Sequence, residues 1–568
     1  MAYDNHSIEG RARAEELMRR HDEMAAERSV LDSLYQRIAE RVCPEGEIFT
    51  SKQAMQGELG GERVFDNTPA IALDRFAAAI SSYLVPDSDQ WHGLKASDPD
   101  LIDDEESKEY LEEVTNVLFA ARYRPRANFS AQMNACFRSL GAYGPWAMFV
   151  DEAMGASLRY RAMHLSELVF GENHQGLVDR VHRGKFALKA YQVEQLANDP
   201  DPSRRWTMPE CVKKALEGPR SSPNAAFEFI HCVYPNEEWR PHFADYRGMA
   251  FASTYLNVND RSICNMGGYR AMPYAVGRYL TGPRETYGRS PAMSVFRDIL
   301  MLNEMNKSVI RQAQMTLEPP YLIHEDGALQ PFNAAPRSLN PGFVTDEGRP
   351  LVHALRPEGD IMVGLEMIQD RRNAINDAFM ISLFRILVDE PKATATEALL
   401  RAQEKGQILG PAMSRQQDAL GVMIEREIDI LGAAGQLPPM PEQLREGGVA
   451  IEFKAPVNRL QKTDAAVGIL RTIETMAIPA EADPSVWDVM DMPKAMRIIG
   501  EANGAPASVM RTPEEMAELS ATREQKASVD TLVAAAPQLA KTVRDISQAQ
   551  ATAGNVPPPI PLVQPSGR

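Results

Sequence analysis

The chain has 568 residues, too many for one hydrophobic core, and 44% of them are apolar, which fits a soluble globular protein of several domains. With 61 Lys and Arg against 78 Asp and Glu the net charge is −17. That argues against a tight, nonspecific DNA binder but not against a surface that DNA passes without sticking. No run of eighteen apolar residues predicts a membrane span, and the first twenty residues lack the apolar segment of a secretory signal. The five cysteines (Cys43, Cys136, Cys211, Cys232 and Cys264) form no CxxC pair and no metal-like spacing, so reduced, structural thiols in a cytoplasmic setting are expected.

Leu31, Leu34, Tyr35, Ile38 and Val42 recur at helical spacing and predict one long helix over 8–42. Thr68-Pro69 opens a second helix, through 84, and Pro86 ends it. A third is expected over about 104–122 and a fourth over 129–140. From 145 to 285, short apolar or alternating runs rich in Phe, Tyr and Val predict an α+β region with a mostly antiparallel sheet. Ser290 can cap a helix and Pro291 suits its first turn, so an uninterrupted helix is expected over about 291–315. Residues 318–358 hold seven prolines and three glycines in 41 positions and read as a small, turn-rich β insert. Helical pattern returns over 360–388. Thr394 and Glu397 are spaced as a capping box for a further helix to about 431, with a break possible at Gly410-Pro411. "VAIEFKAP" predicts a strand, residues 459–525 read as helical, and "GNVPPPIPLVQPSGR" should be extended or flexible. No internal repeat is visible.

Motifs for enzymatic chemistry are missing. "GENHQGL" has two Walker-like glycines but Leu177 where a phosphate-binding lysine belongs, so a turn between strands is the better reading. No HExxH or GxSxG occurs, and His324-Glu325-Asp326 reads as a solvated turn. Asp87, Asp89 and His92 could in principle hold Mg²⁺ for phosphodiester hydrolysis, against the simpler reading of a polar turn beside a packed Trp91. Neither catalytic residues, nor a cofactor, nor a metal is expected.

Four stretches in this order carry a resemblance. They are Arg63 with "VFDNTPAIALDRFAAAISSYLVP" and Trp91, "ETYGRSPAMSVFRDILMLN", "ATATEALLRAQEKGQILGPAMSRQQ", and "GAPASVMRTPEEM" followed by "REQ". Together with the helix–insert–helix layout they resemble the portal proteins, or head-to-tail connectors, of short-tailed (podovirus-type) bacteriophages. The resemblance implies a mainly helical portal fold with an α+β wing, assembling into a ring. It divides the chain into 1–290 wing, 291–317 first stem helix, 318–358 clip and 359–388 second stem helix. After these come 389–440 channel loop and long wing helix, 441–525 crown, and 526–568 C-terminal helix and flexible tail.

It also implies a role: a ring of usually twelve subunits at one capsid vertex, conducting double-stranded DNA during packaging and ejection. Implied partners are the terminase large subunit, tail adaptor proteins, and the major capsid and scaffolding proteins; no membrane is involved. The protein would sit in the virion after assembly in the host cytoplasm. Stem candidates facing DNA are Lys307, Arg311, Asp370, Arg371 and Arg372, whose mixed signs would keep phosphate contacts weak. Channel-loop candidates are Asp389, Glu390, Lys392 and Thr394; Lys392 either touches a phosphate or is simply solvated. Clip candidates for docking are Arg337, Arg349 and Arg356. The alternatives are a metal-dependent nuclease or other DNA-processing enzyme of the packaging machinery, and an acidic internal scaffold or adaptor.

Overall fold

The computed structural model describes residues 8–44, 49, 64–101, 104–153, 156–201, 204–217, 221–243, 245–323, 332–335, 337–355, 361–381, 395–455, 468–476 and 489–502. Helix α1 (Ile8–Val42) is unbroken over 35 residues, as its stripe predicts. Its C-terminal half buries Tyr35, Ile38 and Val42 in the main core, and its N-terminal half buries Ala14 and Leu17 in a separate small cluster. Helix α2 (Thr68–Leu84) starts with Pro at its first turn and buries Leu73, Phe76, Ala77, Ile80 and Leu84, one face at 3–4 residue spacing. It lies so close to α4 (Phe129–Tyr143) that a Cβ on Gly141 would stand 2.6 Å from Leu73 and 2.8 Å from Phe76. Glycine at that position is what allows the approach.

Strand β1 (His92–Ala96) follows α2, and α3 (Glu105–Arg122) is capped by Asp104, which accepts from the Ser107 amide at 2.9 Å. The predicted α+β region is present as two antiparallel sheets. One has three strands in the order β3-β2-β9, built from β2 (Pro145–Ala153), β3 (Ala156–Met163) and β9 (Tyr274–Arg278). The other has five in sequential order: β4 (Leu168–Glu172), β5 (Val178–Lys189), β6 (Ala226–Pro235), β7 (Phe251–Asn257) and β8 (Ser262–Tyr269). Two short helices, α5 (Ala190–Ala197) and α6 (Glu210–Leu216), are inserted between β5 and β6. "GENHQGL" forms the β4–β5 turn: the Asn173 side chain accepts from the amides of Gln175 and Leu177, and Gly176 takes φ 80°.

The helix expected over 291–315 is interrupted. Ser290 caps a single turn, α7 (Pro291–Ser294), and donates to the Ala142 carbonyl at 2.8 Å, tying the start to the end of α4. Val295, at φ −108° and ψ 16°, leaves helical geometry, and α8 (Phe296–Leu317) continues from there. The break lets the first turn stay bonded to α4 while Phe296, Ile299 and Leu302 turn into the core. The insert contains a three-residue ladder, β10 (Tyr321–Ile323) with β11 (Val352–Ala354). Helix α9 (Ile361–Ala378) returns and is interrupted at Phe379-Met380, where Met380 takes φ 57°; Ile381 is helical again, and 382–388 of the expected helix lie outside the described residues.

Helix α10 (Ala395–Ala433) runs for 39 residues straight through Pro411, so the break weighed at Gly410-Pro411 does not occur. From Met413 onward its apolar face packs Leu420, Met423, Ile424 and Leu431 into the main core, which favours a continuous rod despite the missing proline amide. A short α11 (Glu442–Gly447) leads into β12 (Val449–Phe453), the strand expected from "VAIEFKAP". It pairs antiparallel with β1, His92 opposite Phe453 and Ala96 opposite Val449. Strand β1 had no signal of its own in the sequence.

Contacts divide the chain into two units, Met1–Asp464 and Ala465–Arg568. In the second, residues 468–476 and α12 (Met492–Ala502) are helical, in line with the expected pattern; apart from 489–491, the remainder of 465–525 and the tail fall outside the described residues. Cys43, Cys136, Cys232 and Cys264 are buried, Cys211 is half-buried, and none is in a disulfide.

Candidate channel-wall site

Helices α8 and α9 run antiparallel: Asp298 meets Arg371, and further out a Cβ on Gly364 would stand 3.4 Å from Val309. Their roots enter the main core through Phe296, Ile299, Leu302, Ile368 and Ile375. The outer halves face solvent.

Three of the five stem candidates are paired within the chain: Arg372 with the body, Arg371 across the two rods and Lys307 along its own helix. Arg372 donates to the Asp66 carboxylate from Nε at 3.0 Å and from Nη2 at 2.9 Å, and Arg371 pairs with Asp298 at 2.8 Å. Lys307 pairs with Glu304 at 3.5 Å and lies 5.8 Å from the centre of the Phe65 ring. Asp66 is the hub. Its side chain is 4% exposed and accepts from Asn306 of α8, Arg372 of α9 and the Thr68 amide. Beside it the Phe65 amide donates to Asn303 at 2.7 Å. Burial alone would raise the Asp66 carboxyl, but the Thr68 hydrogen bonds and Arg372 outweigh it and hold it below the usual carboxylate range. Asp66, Asn303 and Asn306 were not singled out from the sequence; Asp66 sits inside a quoted motif, yet its partners on α8 and α9 are more than 200 positions away.

Arg311 and Asp370 are exposed and have no ion-pair partner among the described residues. Around them lies a second feature. Met301, Ile310, Met315 and Leu317 on α8, with Met362, Val363, Leu365 and Met367 on α9, are 41–83% exposed. These side chains leave much of the outer rod pair apolar and exposed within the single chain.

In the insert, Tyr321, Phe332 and Phe343 meet in tilted and edge-to-face contacts with centroids 5.0 and 5.5 Å apart, a small cluster that holds the turns together. Arg337 is exposed at φ 65°, and Arg349 makes only a loose 3.7 Å pair with Glu347, both being more than three-quarters exposed. Arg356 lies outside the described residues, as do Asp389, Glu390, Lys392 and Thr394 of the channel-loop expectation and His324-Glu325-Asp326.

The nuclease candidates do not face a common space. Asp87 and Asp89 are exposed, Asp87 accepting from Ser130 at 2.9 Å. His92 is fully buried against Trp91 and Phe119, and burial, helped by nearby Arg122, drops its imidazole to about 2. A neutral, dry imidazole turned into an aromatic core is not a ligand for a hydrated Mg²⁺.

Comparison with known proteins gives one answer. Residues 14–510 match the family described as bacteriophage head to tail connecting protein. The chain is 23% identical over 490 residues to a probable portal protein of Bordetella phage BPP-1, covering 84% of each chain. It is also 23% identical over 561 residues to the portal protein of Salmonella phage epsilon15, covering 94% of this chain and 96% of that one.

Proposed function

The chain belongs to the bacteriophage head to tail connecting protein family, and from that membership we infer that it is the portal subunit of a tailed phage, a structural component of the virion and not an enzyme. The observation that carries the finer reading is the clasped pair α8–α9. Its roots are fixed to the body by Asp66 and the core, while its outer faces carry uncovered methionines and aliphatics beside the uncommitted charges Arg311 and Asp370. Copies arranged about an axis, twelve in our reading, would cover the apolar faces against each other. The charged faces would then wall a channel for double-stranded DNA. Since Lys307, Arg371 and Arg372 are already neutralised by their own chain, few cations remain per subunit to hold phosphates. Sliding needs this, because each phosphate neutralised adds salt-dependent affinity.

In the same reading 318–358 is the clip, which meets the terminase large subunit during packaging and the tail adaptors afterwards. Residues 389–394, with Asp389, Glu390, Lys392 and Thr394, form the channel loop, 441–525 the crown, and the wing meets the capsid and scaffolding proteins. Assembly takes place in the host cytoplasm. None of the described helices is long and apolar enough to cross a membrane.

Negative-stain imaging with native mass measurement of the purified protein tests the ring: a closed ring with a central hole is expected, and a monomer or small open oligomer would overturn the reading. Deleting 389–394 should leave rings intact and impair DNA packaging or retention; normal packaging and retention would remove the loop from the mechanism.

A further inference from the structure

The two sheets and the C-terminal end of α10 enclose a cleft of about 1030 Å³, near the upper end of the range that small-molecule sites occupy. It lies wholly within the first unit of the chain. One wall is the face of β2 and β3 on which Phe149 stands opposite Arg161 and Asp151 opposite Arg159. The facing wall holds His231 and Tyr255, cross-strand neighbours on β6 and β7. His231 is hydrogen-bonded through one ring nitrogen to the Tyr274 hydroxyl at 2.9 Å and through the other to the Ser253 hydroxyl at 3.0 Å. Its ring is stacked 4.0 Å from that of Tyr255, and Trp206 lies 4.8 Å from Tyr255 in turn. These rings are fixed before any ligand arrives, which removes an ordering cost from binding. Phe149 and Tyr255 are only half-buried, so part of each ring stays open to the cleft.

Charge in the cleft runs against that of the chain. Among the described residues six arginines line it against four acids, although the whole sequence has 61 basic and 78 acidic residues. Two of the acids are committed, Glu152 to Arg204 and Asp429 to Arg426. Burial lifts the Asp151 carboxyl above its usual range, which weakens it as a counter-charge. Arg183 is paired with Glu167 at 2.7 Å. Arg159 and Arg161 have no hydrogen bond or ion pair among the described residues. Partial burial, and then the charge of Arg183, hold the Arg161 guanidinium below its usual value; Glu167 offsets them only in part. Guanidiniums crowded in this way favour an anion between them.

We propose that this cleft binds a nucleoside phosphate, its phosphate held by Arg159 and Arg161 and its base laid on the Phe149 and Tyr255 rings. A guanidinium meets phosphate oxygens through paired N–H groups, and an aromatic face accepts any base. A carboxylate-bearing peptide would use the arginines and leave the rings uncovered. The chemistry is shared by a free nucleotide and by the phosphorylated end of a nucleic-acid strand. Because one chain supplies every wall, the proposal does not depend on the portal reading.

The test is calorimetric titration and thermal unfolding of the full chain, and of its Arg159→Gln and Arg161→Gln variants, in phosphate-free buffer. The probes are ATP, inorganic phosphate, a short 5′-phosphorylated oligodeoxyadenylate and a short oligoglutamate. ATP should bind the wild type about tenfold or more tightly than inorganic phosphate, the difference being the stacked base. Each variant should weaken ATP binding by about tenfold or more. Without ligand Arg161→Gln should melt no lower than the wild type, since it relieves crowding; a lower Tm would make Arg161 a structural residue and overturn the proposal. Tighter binding of ATP than of the strand supports a site for a free nucleotide, and the reverse order supports a site for a strand end. No binding of ATP, equal affinity for ATP and phosphate, oligoglutamate binding as tight as that of ATP, or unchanged affinity in both variants each overturns it.

Discussion

In the body, Arg122 and Glu427 meet at 0% exposure, joined by the Tyr160 hydroxyl at 2.7 Å. The guanidinium lies 4.6–5.5 Å from the rings of Trp91, Phe119 and Phe129. In the α8–α9 pair, Asp66 is just as hidden, but its partner Arg372 is 40% exposed and the apolar side chains beyond it face solvent. The first region completes its core within one chain. The second ties Asp66 to both rods but keeps Arg311, Asp370 and much apolar side chain exposed within the single chain.

Breaking the body should cost most. Glu427→Ala leaves a buried guanidinium without its counter-charge and should remove about 3–5 kcal/mol of stability, seen as a large fall in Tm of the isolated chain. Acid separates the regions next. Burial, aided by His21 at one site and Arg183 at the other, holds His182 and His231 down to about 3. Their contribution is whole above about pH 6.5 and is lost as the pH falls toward their folded values; at pH 5 the loss is on the order of 2 kcal/mol for each. Asp66 is depressed from a lower starting point, so its contribution is whole above about pH 3.9 and goes only as the pH falls through its folded value. Thermal unfolding between pH 7 and 5 should therefore weaken the wild type. A His182→Gln/His231→Gln variant should show a flatter profile, and Asp66→Asn should leave the slope unchanged in that window.

Asp66→Ala strips partners from Asn306 and Arg372 and should cost about 1–3 kcal/mol. Proteolysis within α8 and α9 should rise while the body stays protected. Arg349→Ala removes an exposed, loose pair and should change stability by less than about 0.5 kcal/mol. A larger shift would mean that the insert contributes to the subunit's own fold.

What could be read from the sequence follows from distance along the chain. Helices 8–42 and 68–84 carry local periodicity and local punctuation, and both ends came out as expected. The Ser290 cap was equally visible, but the break at Val295 was not, because it answers to Phe296 entering a core assembled elsewhere. Strand β1 takes its identity from β12, some 350 residues on, and so reads locally as a polar turn next to a tryptophan. Lys307, Arg311, Asp370, Arg371 and Arg372 lie on α8 and α9, but the bond from Arg372 to Asp66 was hidden because Asp66 lies 306 positions away. The helix expected to about 431 is present, and the break that Pro411 left open does not occur because the segment that follows packs into the core.

The ladder at the far end of the rods has a wider consequence. With Leu355 donating to the Pro320 carbonyl at 2.9 Å and three register pairs beside it, the chain leaves and re-enters the rods through a single narrow gate. A substitution past that gate acts on turns held by their own ring contacts, and so should leave the distant Asp66 clasp at the roots of the rods unaltered.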